Sequence, residues 1–171
     1  MQSSVIYLIG FSTSGKSTLG KIIAEKLNYQ FIDLDEAITQ QQGKSINALF
    51  DEFGEEGFRK TERQLLVNTI FLTETVIACG GGTPCYSDNM DFLLRNGITI
   101  YLEVDESVLL ERMLNNTAER PLFKGKSKEE ISSHINELLT ARKVFYERAN
   151  YTVNNNSNEE LAIISILKIL E

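Results

Sequence analysis

The stretch VIYLIGFSTSGKSTLGKIIAEKLN, residues 5–28, decides the fold of this chain. Residues 5–9 are apolar throughout, which is typical of a strand buried on both faces of a sheet. Residues 10–17 form a loop of small and polar residues with the pattern G-x-x-x-x-G-K-S. Residues 18–28 then place large apolar side chains on one helical face, at Leu19, Ile22, Ile23 and Leu27. A strand, this loop and a helix in that order predict the start of a parallel α/β sheet.

The loop at 10–17 is typical of a site that binds the phosphates of a nucleoside triphosphate. Its small residues let several backbone N–H groups point at one phosphate chain, and the following helix adds the positive end of its dipole. Lys16 is expected to reach the β- and γ-phosphates, and the Ser17 hydroxyl to ligate Mg²⁺. The residues expected to contact the nucleotide are Ser12, Thr13, Ser14, Gly15, Lys16 and Ser17 in the loop and Thr18 directly after it.

The rest of the chain continues the alternation of short apolar strands and amphipathic helices. Further strands are predicted at 31–34, 76–79, 98–102 and 151–153. Further helices are predicted at 46–53, 55–72, 88–96, 106–114, 128–149 and 158–170. Ser-x-x-Glu capping boxes mark the start of the last two, with Ser127 and Glu130 in one and Ser157 and Glu160 in the other. The predicted fold class is α/β, a three-layer α/β/α arrangement around a central five-stranded parallel sheet.

Composition excludes several classes of protein. The chain has 171 residues, 24 acidic and 17 basic side chains, one His and a formal net charge of −7. This length predicts one domain, and the acidic balance argues against a nucleic-acid-binding protein, which usually has a basic face. No apolar run reaches the ~20 residues that span a bilayer, and two cysteines are too few for a disulfide framework. We expect a cytoplasmic protein, acting as a monomer, without a nucleic-acid or membrane partner.

Ligands of a parallel sheet bind beyond the carboxyl ends of its strands, so the residues that follow each strand are candidates for the site. Asp33 and Asp35 lie at the end of the second predicted strand, and side chains two residues apart on a strand point to the same side. One carboxylate would orient or deprotonate an alcohol, and the other would support Mg²⁺. The alternative is that Asp35 only caps a helix, a position where Asp is common.

Three glycines, Gly80, Gly81 and Gly82, follow the third predicted strand. Glycines directly after a buried strand cost backbone entropy, and they are expected where the backbone approaches a ligand closely. A tight turn is the alternative. The strand end lacks the magnesium-binding Asp expected of a GTPase, and the chain contains no N-K-x-D base-reading motif. A GTP-dependent switch is therefore disfavoured.

Arginines supply the candidate side chains for binding an anionic substrate. Arg142 lies on the apolar stripe of its predicted helix. An arginine there is paired, faces a ligand, or extends its head along the helix into water. Arg59, within a predicted helix, and Arg120, in a polar segment without apolar periodicity, are the other candidates. The alternative for each of them is an ordinary surface position. Planar guanidinium groups match a carboxylate or a phosphoryl group with two hydrogen bonds.

Taken together, these motifs resemble those of shikimate kinase, in the nucleoside-monophosphate-kinase-like group of P-loop folds. The resemblance runs from about residue 5 to the last predicted helix. The matching segments are GFSTSGKST at 10–18, FIDLDEAI at 31–38, GEEGFRKTE at 54–62, ACGGGT at 78–83, ERPLF at 119–123 and TARKVFYERA at 140–149. The loop motif alone is shared by many proteins, and the whole set is far more selective.

The resemblance implies transfer of the ATP γ-phosphoryl group to the 3-hydroxyl of shikimate, a step of aromatic amino acid biosynthesis, with Mg²⁺ as cofactor. Asp35 would contact the substrate hydroxyls and act as the base toward the 3-hydroxyl. Asp33 would help Ser17 to hold Mg²⁺, through water. Lys16 and Arg120 would act on the phosphates as the other catalytic residues.

The resemblance also implies how the remaining residues bind the two substrates. Arg59 and Arg142 would clamp the shikimate carboxylate, while Gly81 and Gly82 would contact shikimate through their backbone. Glu62, one turn after Arg59, would orient that guanidinium by an ion pair.

The nucleotide and the lid complete this set of expectations. Arg112 and Asn155, in the loop 154–156, would flank the adenine. A lid at about 115–126 would close over the phosphates, and the substrate-binding segment would span about 33–62. Both would belong to one P-loop kinase domain, residues 1–171.

The chain departs from the family pattern at Thr13, where the family often has glycine. A Cβ at this position restricts the backbone and crowds the substrate side of the loop. We expect it to tune the site without abolishing phosphate binding. Two alternatives to shikimate kinase stay open: a related small-molecule kinase, such as a gluconate kinase, and a nucleotide-binding module that has lost kinase activity.

Overall fold

The centre of the structure is a parallel sheet. The computed structural model of the chain describes residues 5–115 and 127–171. Its strands are β1 (Val5–Ile9), β2 (Gln30–Asp33), β3 (Thr75–Ala78), β4 (Ile98–Glu103) and β5 (Tyr151–Asn154). Neighbouring strands pair in parallel in the order β2-β3-β1-β4-β5. The prediction of a five-stranded parallel sheet is confirmed.

Helices cover both faces of this sheet. They are α1 (Lys16–Leu27), α2 (Leu34–Gln42), α3 (Ile46–Asn68), α4 (Asn89–Asn96), α5 (Glu106–Asn115), α6 (Lys128–Tyr146) and α7 (Glu159–Leu170). Short 3₁₀ turns at Thr69–Phe71 and Thr83–Cys85 follow α3 and precede α4. Across 5–115 and 127–171, none of the helices combines the length and the apolar character needed to cross a membrane.

The side chains of β1 explain why each face of the sheet carries a layer of helices. Ile6 and Leu8 point to one face and pack against apolar residues of α1 and α7. Val5, Tyr7 and Ile9 point to the other face and pack against residues of α3, α4 and α6. None of these side chains is more than 3% exposed. Burial on both faces accounts for the uninterrupted apolar run of β1, and the predicted three-layer arrangement is confirmed.

The carboxyl end of β1 lies where the strand order changes direction. β3 pairs with one side of β1 and β4 with the other. In open α/β sheets this switch point opens a crevice that binds ligands. The loop after β1 and the loop after β3 meet there, because a Cβ added to Gly81 would lie 3.3 Å from the backbone nitrogen of Ser12. The fold therefore brings together the predicted phosphate loop, residues 10–17, and the glycine loop, residues 80–82.

Helix α2 is absent from the sequence-based prediction, and its presence corrects the placement of Asp35. The strand ends at Asp33, whose side chain caps α2 by accepting hydrogen bonds from the backbone nitrogens of Asp35 at 3.0 Å and Glu36 at 3.3 Å. Asp35 lies in the first turn of α2, so it does not share a strand face with Asp33. The buried residues of this short helix are Leu34 and Ile38, too few to give a detectable apolar stripe.

The predicted break between two helices near residue 54 is confirmed as a kink inside α3. Gly54 has a φ of 68° inside α3, where the sequence predicts separate helices at 46–53 and 55–72.

Of the two predicted capping boxes, the one formed by Ser127 and Glu130 at the start of α6 is confirmed. The other predicted box is wrong, because Asn158 caps α7 by accepting from the backbone nitrogens of the first turn. Asparagine and serine serve equally well at this position, so the pattern alone did not separate them.

Candidate active site

The loop after β1 presents a helix N-terminus to the crevice. Gly15, with a φ of 95°, is the N-cap of α1. As a glycine it offers no side-chain acceptor to the first N–H groups of α1, which leaves the positive end of the helix suited to a phosphate. A Cβ at Gly15 would lie 2.6 Å from Nδ2 of Asn155, so a side chain here would have to displace the amide that bonds to the Ser14 carbonyl. The geometry agrees with the predicted phosphate-binding loop.

Thr13 has a left-handed backbone, with a φ of 66°. Residues branched at Cβ rarely adopt this conformation, and holding one there costs on the order of 1–3 kcal/mol. The Thr13 hydroxyl donates to the carbonyl of Ser12, and the Thr13 carbonyl accepts a 3.2 Å hydrogen bond from Nη1 of Arg112. The sequence predicted that a Cβ here restricts the backbone, and the structure locates that restriction in the left-handed region.

The other loop residues differ in their exposure. Lys16 is 9% exposed, and its ammonium donates to the carbonyls of Gly10 at 2.9 Å and Phe11 at 2.7 Å. Ser14 is fully buried, and its carbonyl accepts from Nδ2 of Asn155. The remaining predicted contacts, Ser12 and Thr18, are half-buried and exposed, respectively. The Lys16 ammonium therefore lies against the loop backbone where a phosphate chain is expected.

Ser17 and Asp33 meet across the crevice. The Ser17 hydroxyl donates a hydrogen bond to Oδ2 of Asp33, while Oδ1 of Asp33 caps α2. A hydroxyl and a carboxylate are the hard oxygen ligands that Mg²⁺ prefers, with water and phosphate completing its octahedron. These two side chains therefore fit the magnesium site that the sequence predicts.

Asp35 faces the same crevice from the first turn of α2. The residue is exposed to solvent, but its carboxylate lies next to Gly80, and the surrounding protein atoms desolvate it. That desolvation, followed by the negative charges of Glu62 and Asp33, raises the pKa of Asp35 to about 6, against opposing effects of Lys16 and Arg59. A carboxylate with a raised pKa in a cleft is suited to accept a proton from an alcohol.

The glycine loop after β3 is packed tightly against charged side chains. A Cβ at Gly82 would lie 2.1 Å from Nη2 of Arg59, and one at Gly80 would lie 2.8 Å from Oε1 of Glu62. The sequence predicted close approach of this backbone to a ligand. The structure shows close approach to the side chains of Arg59 and Glu62, so a larger residue at Gly80 or Gly82 would have to displace them.

Arg59 is held by a buried carboxylate. Its Nη1 donates to Oε2 of Glu62 at 2.8 Å, and its Nε lies 3.7 Å from Glu55. The Arg59 side chain is 12% exposed, and Glu62 is fully buried. The ion pair between Arg59 and Glu62 confirms the contact that the family resemblance implied, and it fixes the plane of the guanidinium.

Arg142 joins Arg59 at a cleft of about 410 Å³, whose other lining residues include Gly82, Cys85 and Tyr86. Arg142 is half-buried, and its guanidinium carbon lies 5.8 Å from the centre of the Phe11 ring. Its place on the apolar stripe is therefore explained by the cleft, where its head group is available to a ligand. Two guanidinium groups at one cleft form a site for a carboxylate.

Arg112 and Asn155 connect the phosphate loop to the segment after β5. Nη2 of Arg112 donates to the carbonyl of Asn155 at 2.7 Å, and Nδ2 of Asn155 donates to the carbonyl of Ser14 at 2.8 Å. Both predicted nucleotide-binding residues thus lie beside the phosphate loop. Arg120 and the expected lid beyond Asn115 lie outside the described residues.

Several residues of the site were missed by the sequence analysis. Tyr146 donates from its hydroxyl to the carbonyl of Gly81 at 2.6 Å, and its position four residues after Arg142 on the same helix was an available signal. Thr83 donates to Glu62 at 2.6 Å, and no local pattern points to it. Cys85 lines the cleft as a neutral thiol, because burial raises its pKa to about 11.

Comparisons with known proteins agree on one family. The family model described as shikimate kinase matches residues 12–171. A shikimate kinase of Bacteroides thetaiotaomicron is 41% identical over 155 residues, which cover 91% of this chain and 89% of that protein. A crystal structure of shikimate kinase from the same species superposes with a TM-score of 0.93 at 38% identity, covering 97% of each chain. Shikimate kinase from Acinetobacter baumannii, solved in complex with shikimate, gives a TM-score of 0.88 at 31% identity, covering 98% of this chain and 93% of that chain.

Proposed function

This chain belongs to the shikimate kinase family, and on that premise we propose how its residues divide the work of the reaction. The protein is an ATP-dependent kinase that transfers the γ-phosphoryl group of ATP to the 3-hydroxyl of shikimate, giving shikimate 3-phosphate and ADP. This step belongs to aromatic amino acid biosynthesis. The relatives favour this activity over both alternatives, a gluconate kinase and a module without kinase activity.

The substrate carboxylate is assigned to the pair Arg59 and Arg142. The observation that carries this assignment is that both guanidinium groups line one cleft, where Gly82 of the glycine loop lies against Arg59. Each guanidinium can give a carboxylate two parallel hydrogen bonds, which fixes the orientation of the ring as well as its position. The backbone of Gly81 and Gly82 completes the wall on which the ring rests.

Asp35 is assigned to the 3-hydroxyl. It orients the hydroxyl oxygen toward the γ-phosphorus and accepts the proton as the new oxygen–phosphorus bond forms. The bond from the γ-phosphorus to the oxygen shared with the β-phosphate breaks in the same step, and ADP leaves with that oxygen. The raised pKa of Asp35, about 6, leaves it ionised at neutral pH and close enough to neutrality to take the proton.

The phosphates are assigned to the N-terminus of α1 and residues 12–18. Lys16 exchanges its hydrogen bonds to the loop carbonyls for bonds to the β- and γ-phosphates, since its ammonium already lies over the loop. Ser17, directly, and Asp33, through water, are proposed to hold Mg²⁺. When bound, the metal neutralises charge on the β- and γ-phosphate oxygens.

The rest of the nucleotide is assigned to Arg112 and Asn155, which flank the phosphate loop and would border the adenine. Arg120 is proposed to act on the phosphates from the segment beyond Asn115. The proposed lid spans about 115–126, the substrate-binding segment spans about 33–62, and both belong to one kinase domain.

We also propose that the protein works as a monomer in the cytoplasm. One chain supplies every assigned residue, which supports a monomer, and both cysteines are free thiols, as is usual in the cytoplasm.

ADP release tests the activity directly. Purified protein with Mg·ATP is assayed with shikimate, with gluconate and without acceptor. We expect strong stimulation by shikimate and little by gluconate. Stimulation by gluconate alone, or by neither acid, would reject the assignment. Formation of shikimate 3-phosphate, followed by phosphorus NMR, distinguishes transfer from ATP hydrolysis.

A further inference from the structure

The buried hydroxyl of Thr83 connects the glycine loop to the proposed carboxylate clamp. We propose that Thr83 is a positioning residue for shikimate, acting through Glu62 on the guanidinium of Arg59. The inference rests on the proposed role of Arg59 in binding the substrate carboxylate. It adds a residue that touches neither substrate nor nucleotide in the assignments above.

Both oxygens of the Glu62 carboxylate have a donor. Oε1 accepts from the Thr83 hydroxyl at 2.6 Å, and Oε2 accepts from Nη1 of Arg59 at 2.8 Å. Glu62 and Thr83 are fully buried. A buried carboxylate that loses one donor either keeps an unsatisfied oxygen or rotates to find another partner. Rotation of Glu62 would turn the Arg59 fork with it, because these two planar groups are hydrogen-bonded.

Hydrogen bonds hold the backbone of Thr83 at both its N–H and its carbonyl group. Its backbone nitrogen donates to the carbonyl of Gly80 at 3.1 Å, and its carbonyl accepts from Nδ2 of Asn89 at 2.7 Å. Oδ1 of Asn89 accepts in turn from Arg63 at 2.6 Å. The threonine hydroxyl therefore has a rigid base, which is what a residue needs in order to hold a neighbouring carboxylate in one orientation.

The backbone of the glycine loop restricts how far the Arg59 guanidinium can rotate. A Cβ at Gly82 would lie 2.1 Å from Nη2 of Arg59, so the guanidinium already lies against the backbone of the glycine loop. Thr83 follows Gly82 directly, and it thus ties the loop and the guanidinium to the same buried carboxylate. Loss of its hydroxyl is expected to loosen the clamp more than the rest of the site.

The test compares Thr83→Val, which keeps the shape and removes the donor, with Thr83→Ser, which keeps the donor. Thr83→Val is expected to raise the KM for shikimate about tenfold, equivalent to about 1.4 kcal/mol, with the KM for ATP nearly unchanged. Thr83→Ser is expected to stay close to the wild type. Thr69→Val is the matched control, because Thr69 is also a buried threonine. Its hydroxyl is hydrogen-bonded to Tyr7, which belongs to the core cluster between the sheet and helices α3, α4 and α6.

A second substrate distinguishes a specific loss of carboxylate recognition from a general loss of stability. The methyl ester of shikimate lacks the carboxylate charge, so the wild type is expected to prefer shikimate in kcat/KM. Thr83→Val should lower that preference about tenfold, in line with the hydrogen bond it removes, whereas Thr69→Val should lower the melting temperature and leave the preference unchanged. Thr83→Ala gives the same comparison if Thr83→Val does not fold.

Two outcomes overturn the inference. In one, Thr83→Val lowers kcat/KM equally for the acid and the ester; in the other, it changes neither. Arg59→Lys, which removes the fork and keeps the charge, separates this inference from the proposal beneath it. If Arg59→Lys leaves the preference for the acid intact, the clamp itself is wrong. If Arg59→Lys abolishes the preference and Thr83→Val does not, only the role of Thr83 is wrong.

Discussion

The hydroxyl of Tyr146 donates a 2.6 Å hydrogen bond to the backbone carbonyl of Gly81, which ties α6 to the glycine loop. Tyr146 is fully buried, and its ring stacks on Tyr101 with the centroids 5.1 Å apart. Arg142 lies one turn earlier on the same helix, and its Nη1 lies 3.3 Å from the position of a Cβ at Gly81. A buried tyrosine thus holds the glycine loop beside the cleft that Arg59 and Arg142 line.

Tyr146→Phe is therefore expected to affect both stability and substrate binding. Loss of one buried hydrogen bond should lower the free energy of unfolding by about 1 kcal/mol, measured by urea denaturation. The KM for shikimate should rise severalfold, because Gly81 and Arg142 lose their common support. Tyr7→Phe is the control: it removes a buried hydrogen bond to Thr69 and should destabilise the protein without changing this KM. Equal effects of both variants on KM would contradict the expectation.

Asp35→Asn should lower kcat by at least about 100-fold, the usual scale for a lost general base. The KM for ATP should stay nearly the same, because the phosphates are assigned to the loop after β1. Steady-state kinetics with both substrates measure this. Glu36→Gln, at the exposed neighbouring residue, is the matched control and should behave like the wild type. A variant at Asp35 with near wild-type turnover would remove this residue from the mechanism.

The pH dependence of the reaction should follow the same carboxylate. Its pKa is raised to about 6 because of desolvation and the charges of Glu62 and Asp33. The ionised form is the proposed base, so we expect activity to fall as the pH drops through this pKa. In the ligand-free protein, carbon-13 NMR of labelled aspartate should show one carboxyl titrating near pH 6, absent in Asp35→Asn. A titration near the ordinary value of 3.8 would contradict this.

The same raised pKa predicts a stability change of definite sign. The folded protein binds the Asp35 proton more tightly than the unfolded chain, whose carboxyl has the ordinary value of 3.8. This group therefore lowers stability as the pH rises from about 4 to about 6, and the loss persists above that range. Asp35→Asn should melt at a higher temperature than the wild type at pH 7.5 and at nearly the same temperature at pH 4. A lower melting temperature at pH 7.5 would show that the carboxylate stabilises the fold.

Arg142→Ala should raise the KM for shikimate at least about tenfold, since a hydrogen bond to a charged group contributes about 1.5–3 kcal/mol. The KM for ATP should change little. Lys143→Ala, at the next residue, removes an exposed charge that pairs with Glu103 and Glu147 and should leave both constants unchanged. An unchanged KM for shikimate in Arg142→Ala would mean that this arginine only extends into water.

Thr13→Gly should stabilise the protein. Relief of the left-handed backbone at Thr13 is worth more than the entropy that a glycine adds to the unfolded chain, for a net gain of about 1 kcal/mol in the free energy of unfolding. Ser12→Gly is the control, because the φ of Ser12 is not positive, and it should destabilise. Urea denaturation of both variants checks the sign. A destabilised Thr13→Gly would show that the Thr13 hydroxyl bond outweighs the strain.

The fold could be predicted because its signals are local. The continuous apolar run of β1, the loop pattern at 10–17 and the spacing of apolar residues in α1 each lie within a short stretch. Each is decided by backbone geometry and burial over one element. Helix α2 was missed for the same reason, since its buried face consists of Leu34 and Ile38 and leaves no repeat to detect.

The candidate site could be predicted only in part. Asp35, Arg59 and Arg142 were found from position and from resemblance. The structure places Arg59 and Arg142 at one cleft, and it places the Asp35 carboxylate next to Gly80 of the glycine loop, from a helix and not from a strand. Tyr146 and Thr83 were not found as site residues. Tyrosine and threonine at those positions read as ordinary core residues along the chain.

The sequence by itself determined the strands, the described helices other than α2, the phosphate-loop pattern and the candidate charged residues, because those depend on neighbours a few positions away. Only the tertiary structure decided which buried donors hold the charged groups in place. Thr83 and Glu62 are 21 residues apart, and Tyr146 and Gly81 are 65 apart. Such pairs meet because α3 and α6 pack beside the loop that follows β3, and a hydrogen bond requires about 3 Å between atoms that no local pattern relates.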